Sequence, residues 1–467
     1  MLHPDRLFSS VPAERDIARR LYEQVRSLPI VSPHGHTDPA WFALNEPFPD
    51  PATLFIVPDH YVFRMLYSQG TGLDALGISR LDGAVADVTP RQVWQTFSDQ
   101  YHLFRGTPSR LWFEHALQEV FGITERLSAA NADRIFDTLS EQLKAPAFRP
   151  RALFDRFNIE FLATTESPLD TLHHHEAIRA SGWPGRVVTT YRPDPVVDPE
   201  FEGFGDNLAR FGDLTGEDTH SWQGYLNAHR KSRARFAAHG ATATDHGHPT
   251  ARTADLTRTE VEKLFNRVIR GDVHPADAEL FRAQMLTEMA LMSLDDNLVM
   301  QIHAGSFRNH NPLLYRDYGR DKGADIPMTT EYVAALRPLL AKCGNSTSLH
   351  LILFTLDETV YSRELAPLAG HYPALRIGPP WWFFDSPEGM LRYKRAVIET
   401  AGFYNTAGFN DDTRAFLSIP ARHDVNRRMD CRHLAELVAD HRLDEDEALE
   451  LAQGMACQFA RDAYKIH

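Results

Sequence analysis

The feature that most constrains this chain is a recurring unit. A short run of apolar or β-branched residues stops at a polar or aromatic cluster, and a stretch with helical spacing follows. Ile30-Val31-Ser32 stops at Pro33 and gives way to His34-Gly35-His36. Ile159 to Thr164 ends near Glu166, and Arg186 to Tyr191 ends in Arg192-Pro193-Asp194. Gly240 to Thr244 ends in Asp245-His246, Leu298 to Ile302 ends at His303, and Leu349 to Thr355 runs to Asp357. Ala374 to Ile377 runs into Gly378-Pro379-Pro380-Trp381-Trp382, and Phe403 to Phe409 runs into Asn410-Asp411-Asp412. Strands alternating with helices predict a parallel sheet, and about eight units with reactive side chains at strand C-termini predict an α/β fold of the (β/α)₈ TIM-barrel type.

The units are unevenly spaced: roughly 120 residues separate the first candidate strand from the second, far more than one crossover helix needs. Residues of about 60–150 carry helical patterns, as in Arg91 to Tyr101 and Leu111 to Phe121, and predict a helical lobe inserted after strand one. Ile17, Leu21 and Val25 predict an N-terminal helix with Ser10 as a cap. No internal repeat or low-complexity linker divides the chain, so residues 1–467 read as a single elaborated barrel domain.

Charge narrows the partners. Lys plus Arg is 49 against 63 for Asp plus Glu, a net −14, which argues against nucleic acid and anionic membrane. A small anionic substrate would need a local cationic pocket. Cys343, Cys431 and Cys457 are scattered and lack Cys-x-x-Cys spacing, which predicts a reducing, cytoplasmic setting. No secretory core or membrane-length apolar run is present, and a homo-oligomer stays open.

His34-Gly35-His36 is the first chemical constellation. Residues two apart on a strand face the same side, so both imidazoles can reach one ion, and Gly35 lets the backbone approach it. His173-His174-His175 falls in a helical pattern, where consecutive residues diverge, and reads as an ordinary helix face. In Asp245-His246-Gly247-His248, His246 reads as a neighbour of the site and His248 as solvated. His303 ends a strand, where a core histidine and a functional one are both open readings.

Asn410-Asp411-Asp412-Thr413-Arg414 packs two carboxylates and a guanidinium together. A carboxylate there can complete a metal site, act as a base or cap the next helix, and Arg414 can hold a substrate carboxylate bidentately. Arg192, stiffened by Pro193 and Pro195, suits anion binding or a local ion pair with Asp194. Trp381-Trp382-Phe383-Phe384 is core-like, yet one indole can wall a sugar-sized pocket. No Gly-x-Ser-x-Gly elbow, phosphate loop, dinucleotide fingerprint or His-Glu-x-x-His helix appears.

His34-Gly35-His36 joined to a late strand-end Asp412 resembles the amidohydrolase superfamily of metal-dependent barrels. Asp59-His60-Tyr61 with Arg64, Tyr191 to Asp194, Asp245-His246-Gly247, Gln301-Ile302-His303, Gly378 with Trp381-Trp382-Phe383, Gly408 to Phe416 and Ser418 to Asp424 together resemble the uronate isomerase family. That resemblance implies interconversion of D-glucuronate with D-fructuronate and of D-galacturonate with D-tagaturonate. It implies that His34, His36 and Asp412 hold one divalent ion, usually zinc. It also implies that Arg192, Arg414, His303 and Trp381 or Trp382 surround a hexuronate, with Tyr61 reaching in from the loop after strand one. Gly378-Pro379-Pro380 is stiffer than the family's small-residue turn.

The implied chemistry suits these residue types, because aldose–ketose isomerisation needs a carboxylate base and a phenol or guanidinium shuttle. A carboxylate bound to a cation is a weakened base, so either Asp412 is loosely bound or Asp411 shares the task; the first is preferred. The rival enzyme is a metal-dependent hydrolase of an amide, ester or lactone, which predicts more His ligands or a Lys at the strand ends. A non-catalytic binder of sugar acids is the third reading.

Overall fold

The computed structural model describes residues 2–84 and 87–467 of the chain. Its strands are β1 (Ile30–Ser32), β2 (Ile159–Ala163), β3 (Val187–Val188), β4 (Ala243–His246), β5 (Val299–Ala304), β6 (Ser306–Phe307), β7 (Ile326–Pro327), β8 (Leu351–Thr355) and β9 (Leu375–Ile377). Parallel pairing runs β1-β2-β3 in one sheet and β4-β5-β8-β9 in a second. Every residue of β4, β5 and β8 is buried, and β8, Leu351 to Thr355, accordingly reads as a nearly continuous apolar run rather than as an alternation.

Single bridges carry the ring between the sheets. Glu166 pairs with Tyr191, Tyr191 with Thr244, and Ile377 with Thr406. The eighth stave is irregular. The expected strand from Phe403 to Phe409 instead begins as a 3₁₀ turn, Phe403–Asn405, and then runs extended. Gly408 breaks it: φ is +70°, and a Cβ there would lie 2.6 Å from the Ala460 backbone nitrogen. The stave still closes on β1, because His36 N donates to Thr413 O at 3.0 Å. The resulting architecture is a (β/α)₈ barrel with one stave held by isolated bonds.

The N-terminal helix is Pro12–Val25. Val11 takes the cap position with no side-chain bond, so Ser10 does not cap it. Between β1 and β2 the chain is helical, from Pro39–Leu44 to Pro150–Arg156. These helices bury their own aromatic core, in which Phe97 and Phe113 meet edge to face at 5.2 Å beside Trp94 and Phe55. β6 pairs antiparallel with β7 across a connection that carries the helix Pro312–Tyr318. No helix among the described residues is long and apolar enough to cross a membrane.

Candidate active site

The C-terminal strand ends surround a cavity of about 830 Å³. On one wall, His34 and His36 follow β1 with rings 5.3 Å apart. Asp412 faces both. Its Oδ1 lies 3.4 Å from His34 Nε2 and 3.1 Å from His36 Nε2. That oxygen is buried without a hydrogen-bond partner, and the three ligand atoms lie within 4.8 Å of one another. An orphaned carboxylate oxygen converging with two imidazole nitrogens fits the donor set that a divalent cation takes.

The backbone presents Asp412 at a cost. Its φ is +38°, a left-handed conformation unfavourable for a residue with a Cβ. Burial works against its charge, yet His34 and His36 hold the carboxyl well below the usual carboxylate range. Burial pushes His36 down to about 4. For His34 the same burial is outweighed by Asp412, and its value is raised.

The next wall is built around Asp245, fully buried on β4. His303 Nδ1 lies 2.6 Å from Asp245 Oδ1, and Arg192 Nη1 lies 3.1 Å from Asp245 Oδ2. Arg192 Nε also donates to Asp194 Oδ2 at 2.9 Å. The local ion pair foreseen for Arg192 is therefore present, and its guanidinium still lines the cavity. His303 stacks between His34 and Phe354 at 4.7 and 3.9 Å, which fixes its ring with Nε2 buried and unpartnered. His34, Asp245 and His303 form a second potential metal group, but the close His303–Asp245 bond already uses one of its donor pairs.

Tyr61 and His60 enter from the helix His60–Ser68, and Trp381 and Trp382 from the turn after β9. All four line the cavity, so both indoles reach the pocket rather than one. Trp381 meets His303 edge to face at 4.7 Å, and Trp382 lies 4.6 Å from His60. Arg414 lines the same space and pairs with Asp321 at 3.0 Å.

A sequence model of the family described as Glucuronate isomerase matches residues 9–464. The chain belongs to the glucuronate isomerase family. The uronate isomerase of Xanthomonas axonopodis pv. citri (strain 306) is 65% identical over 465 residues, covering 100% of this chain and 98% of that protein. The crystal structure of glucuronate isomerase from Caulobacter crescentus superposes with a TM-score of 0.99 at 61% identity, over 100% of this chain and 97% of that one. Uronate isomerase from Thermotoga maritima gives a TM-score of 0.92 at 26% identity, over 99% of both chains. The protein is thus an aldose–ketose isomerase of uronates, and the hydrolase reading is set aside.

In this member of the glucuronate isomerase family, several sequence expectations change. Asp245 points inward, so His246, the next residue of β4, must point outward; it meets Thr244 Oγ1 at 3.1 Å and does not line the cavity. His248, expected in solvent, is 3% exposed and lines the cavity with both ring nitrogens unpartnered. Asp411 is buried away from the cavity, with His423 Nε2 at 3.2 Å, while Asp412 faces it. A Cβ at Gly35 would meet no protein atom nearer than 3.5 Å. Gly247 is the tight position: its Cβ would lie 2.1 Å from Arg192 Nη2.

Nor is the pocket simply cationic. Arg192 and Arg414 are paired as above, and Arg308 pairs with Asp325 at 2.8 Å. Arg320, which sequence reasoning missed, stacks on Phe201 at 3.9 Å and has no carboxylate within ion-pair reach among the described residues. Glu166 was also missed as a lining group. Burial pushes it up to about 7, against hydrogen bonds from Thr164 and Thr189. Its position just past β2 was the available signal.

Proposed function

We propose that the enzyme interconverts D-glucuronate with D-fructuronate, and D-galacturonate with D-tagaturonate, in the cavity at the strand ends. One observation carries this reading: His34, His36 and Asp412 share that cavity with Tyr61, Arg192, His303 and Arg414, and no lysine lines it among the described residues. His34, His36 and Asp412 are read as the holders of one divalent ion, zinc. When bound, such an ion supplies Lewis-acid stabilisation of negative charge on the sugar oxygens.

The isomerisation moves the C2 proton to C1, while the proton on O2 passes to O1. Asp412 is the base. Its Oδ1 is turned to the imidazoles, which leaves Oδ2 to take the proton from C2 and return it to C1. Tyr61 carries the hydroxyl proton: burial pushes its phenol well above the ordinary range, so it rests as a donor. Arg414 donates hydrogen bonds to the oxygens that gain negative charge in the enediol-like transition state. Arg192 and His303 hold the substrate's polar groups, and Trp381 and Trp382 wall its apolar faces. The helices of about 60–150 act as a lobe over the barrel that brings Tyr61 to the site and excludes water.

The buried, unpaired state of Cys343, Cys431 and Cys457 supports a reducing, cytoplasmic setting. Incubating metal-replete enzyme with glucuronate in deuterated water tests the reading. Conversion to the ketose is expected, with any solvent deuterium entering at C1 of the ketose and at C2 of re-formed glucuronate; inert sugar with hydrolysis of a lactone would overturn it.

A further inference from the structure

Behind Tyr61 lies a guanidinium that the scheme above leaves without a role. Arg422, on the helix Ile419–Ala439, is 1% exposed. Its Nη1 is held by Asp385, and its Nε donates to Ser418 Oγ at 3.1 Å. The guanidinium carbon stands 3.6 Å from the Trp112 ring centre and 5.0 Å from that of Tyr61. Nη2 is buried and has no partner. Four elements converge on this one side chain: the helices His60–Ser68, Pro108–His115 and Ile419–Ala439, and the turn after β9 that carries Asp385.

A buried ion pair is weak evidence for stability, since apolar replacements of similar volume usually serve as well. A cation packed against a phenol has a more specific effect. It favours the phenolate and so eases release of the proton. Burial pushes the Tyr61 phenol well up, and Arg422 is the strongest influence pulling it back, against Asp385 and Asp412. The Ser418 hydroxyl that anchors Arg422 is itself fixed by the loop after the eighth stave, which holds the guanidinium still against the phenol. Ser418 Oγ lies 3.2 Å from Thr413 Oγ1, and Thr413 stands between Asp412 and Arg414 in the chain.

We propose that Arg422 is a positioning residue of the isomerisation, which orients the Tyr61 phenol and eases its proton release, with Asp385 as its anchor. The proposal rests on Tyr61 as the hydroxyl-proton carrier. Arg422 acts only through Tyr61, so its loss costs nothing once the phenol is gone.

The test measures kcat and KM for glucuronate on metal-replete Arg422→Lys, Asp385→Asn, Tyr61→Phe and the two double variants. Arg422→Lys and Asp385→Asn are each expected to lower kcat by about a hundredfold with KM within about threefold of wild type. On the Tyr61→Phe background the same changes should alter kcat by no more than about twofold. Asp385→Asn keeps the side-chain shape and makes the comparison if Arg422→Lys does not fold. Wild-type kcat in both single variants, or an equal loss on the Phe background, overturns the role of Arg422 while the Tyr61 assignment stands. Wild-type turnover of Tyr61→Phe overturns both.

Discussion

His303 Nδ1 lies 2.6 Å from Asp245 Oδ1, and both side chains are buried. The bond sets the ring so that Nε2 is the nitrogen left unpartnered beside the cavity. Asp245 has a second duty, since Arg192 Nη1 sits 3.1 Å from its other oxygen. Asp245→Asn is therefore expected to lower kcat/KM by about a hundredfold through misplacement of both partners. It should also destabilise the fold by about 3 kcal/mol by half-breaking a buried charge pair, as read from urea unfolding.

Gly247 and Gly35 should respond oppositely to alanine. A Cβ at Gly247 would lie 2.1 Å from Arg192 Nη2 and 2.7 Å from Asp194 Oδ2, and neither group can retreat without breaking the Arg192–Asp194 bond. Gly247→Ala is expected to raise KM for glucuronate by about tenfold, equivalent to about 1.4 kcal/mol. A Cβ at Gly35 makes only ordinary contacts, so Gly35→Ala should keep wild-type metal content and turnover.

Glu166 makes stability depend on pH. Burial raises its folded value from 4.5 to about 7. A raised carboxyl binds its proton more tightly in the folded chain, so its stabilisation is present below pH 4.5 and is lost as pH rises through about 7. The loss is on the order of 3 kcal/mol across that window. Thermal melts at pH 5.5 and 8.5 should show Glu166→Gln gaining on the wild type at the higher pH and not at the lower.

Removing the ion should remove the activity. Dialysis against a chelator is expected to take out about one equivalent of divalent metal per chain and abolish turnover, with zinc restoring both. His36→Ala should lower metal content and turnover together, as measured by elemental analysis beside the isomerisation assay.

Much of the barrel was legible because strands buried on both faces read as apolar runs, and their polar ends mark the working face. β5 ending in His303 and β1 leading to His34 and His36 are plain in the sequence for that reason. Three things were hidden. The eighth stave does not form a regular strand because Gly408 takes a left-handed backbone. β4 runs through His246, so alternation turns Asp245 inward and His246 outward, and it is the loop beyond the strand that brings His248 to the cavity. The pairings of Asp245 with His303 and of Arg414 with Asp321 join residues far apart in the chain, which no local spacing encodes.

The central claim is that Asp412 moves the proton between C2 and C1. It is tested most directly by the kcat of Asp412→Asn, loaded to the metal content of the wild type, with glucuronate. A loss of about 10²- to 10⁴-fold is predicted. Near-native turnover in metal-replete Asp412→Asn would contradict the account.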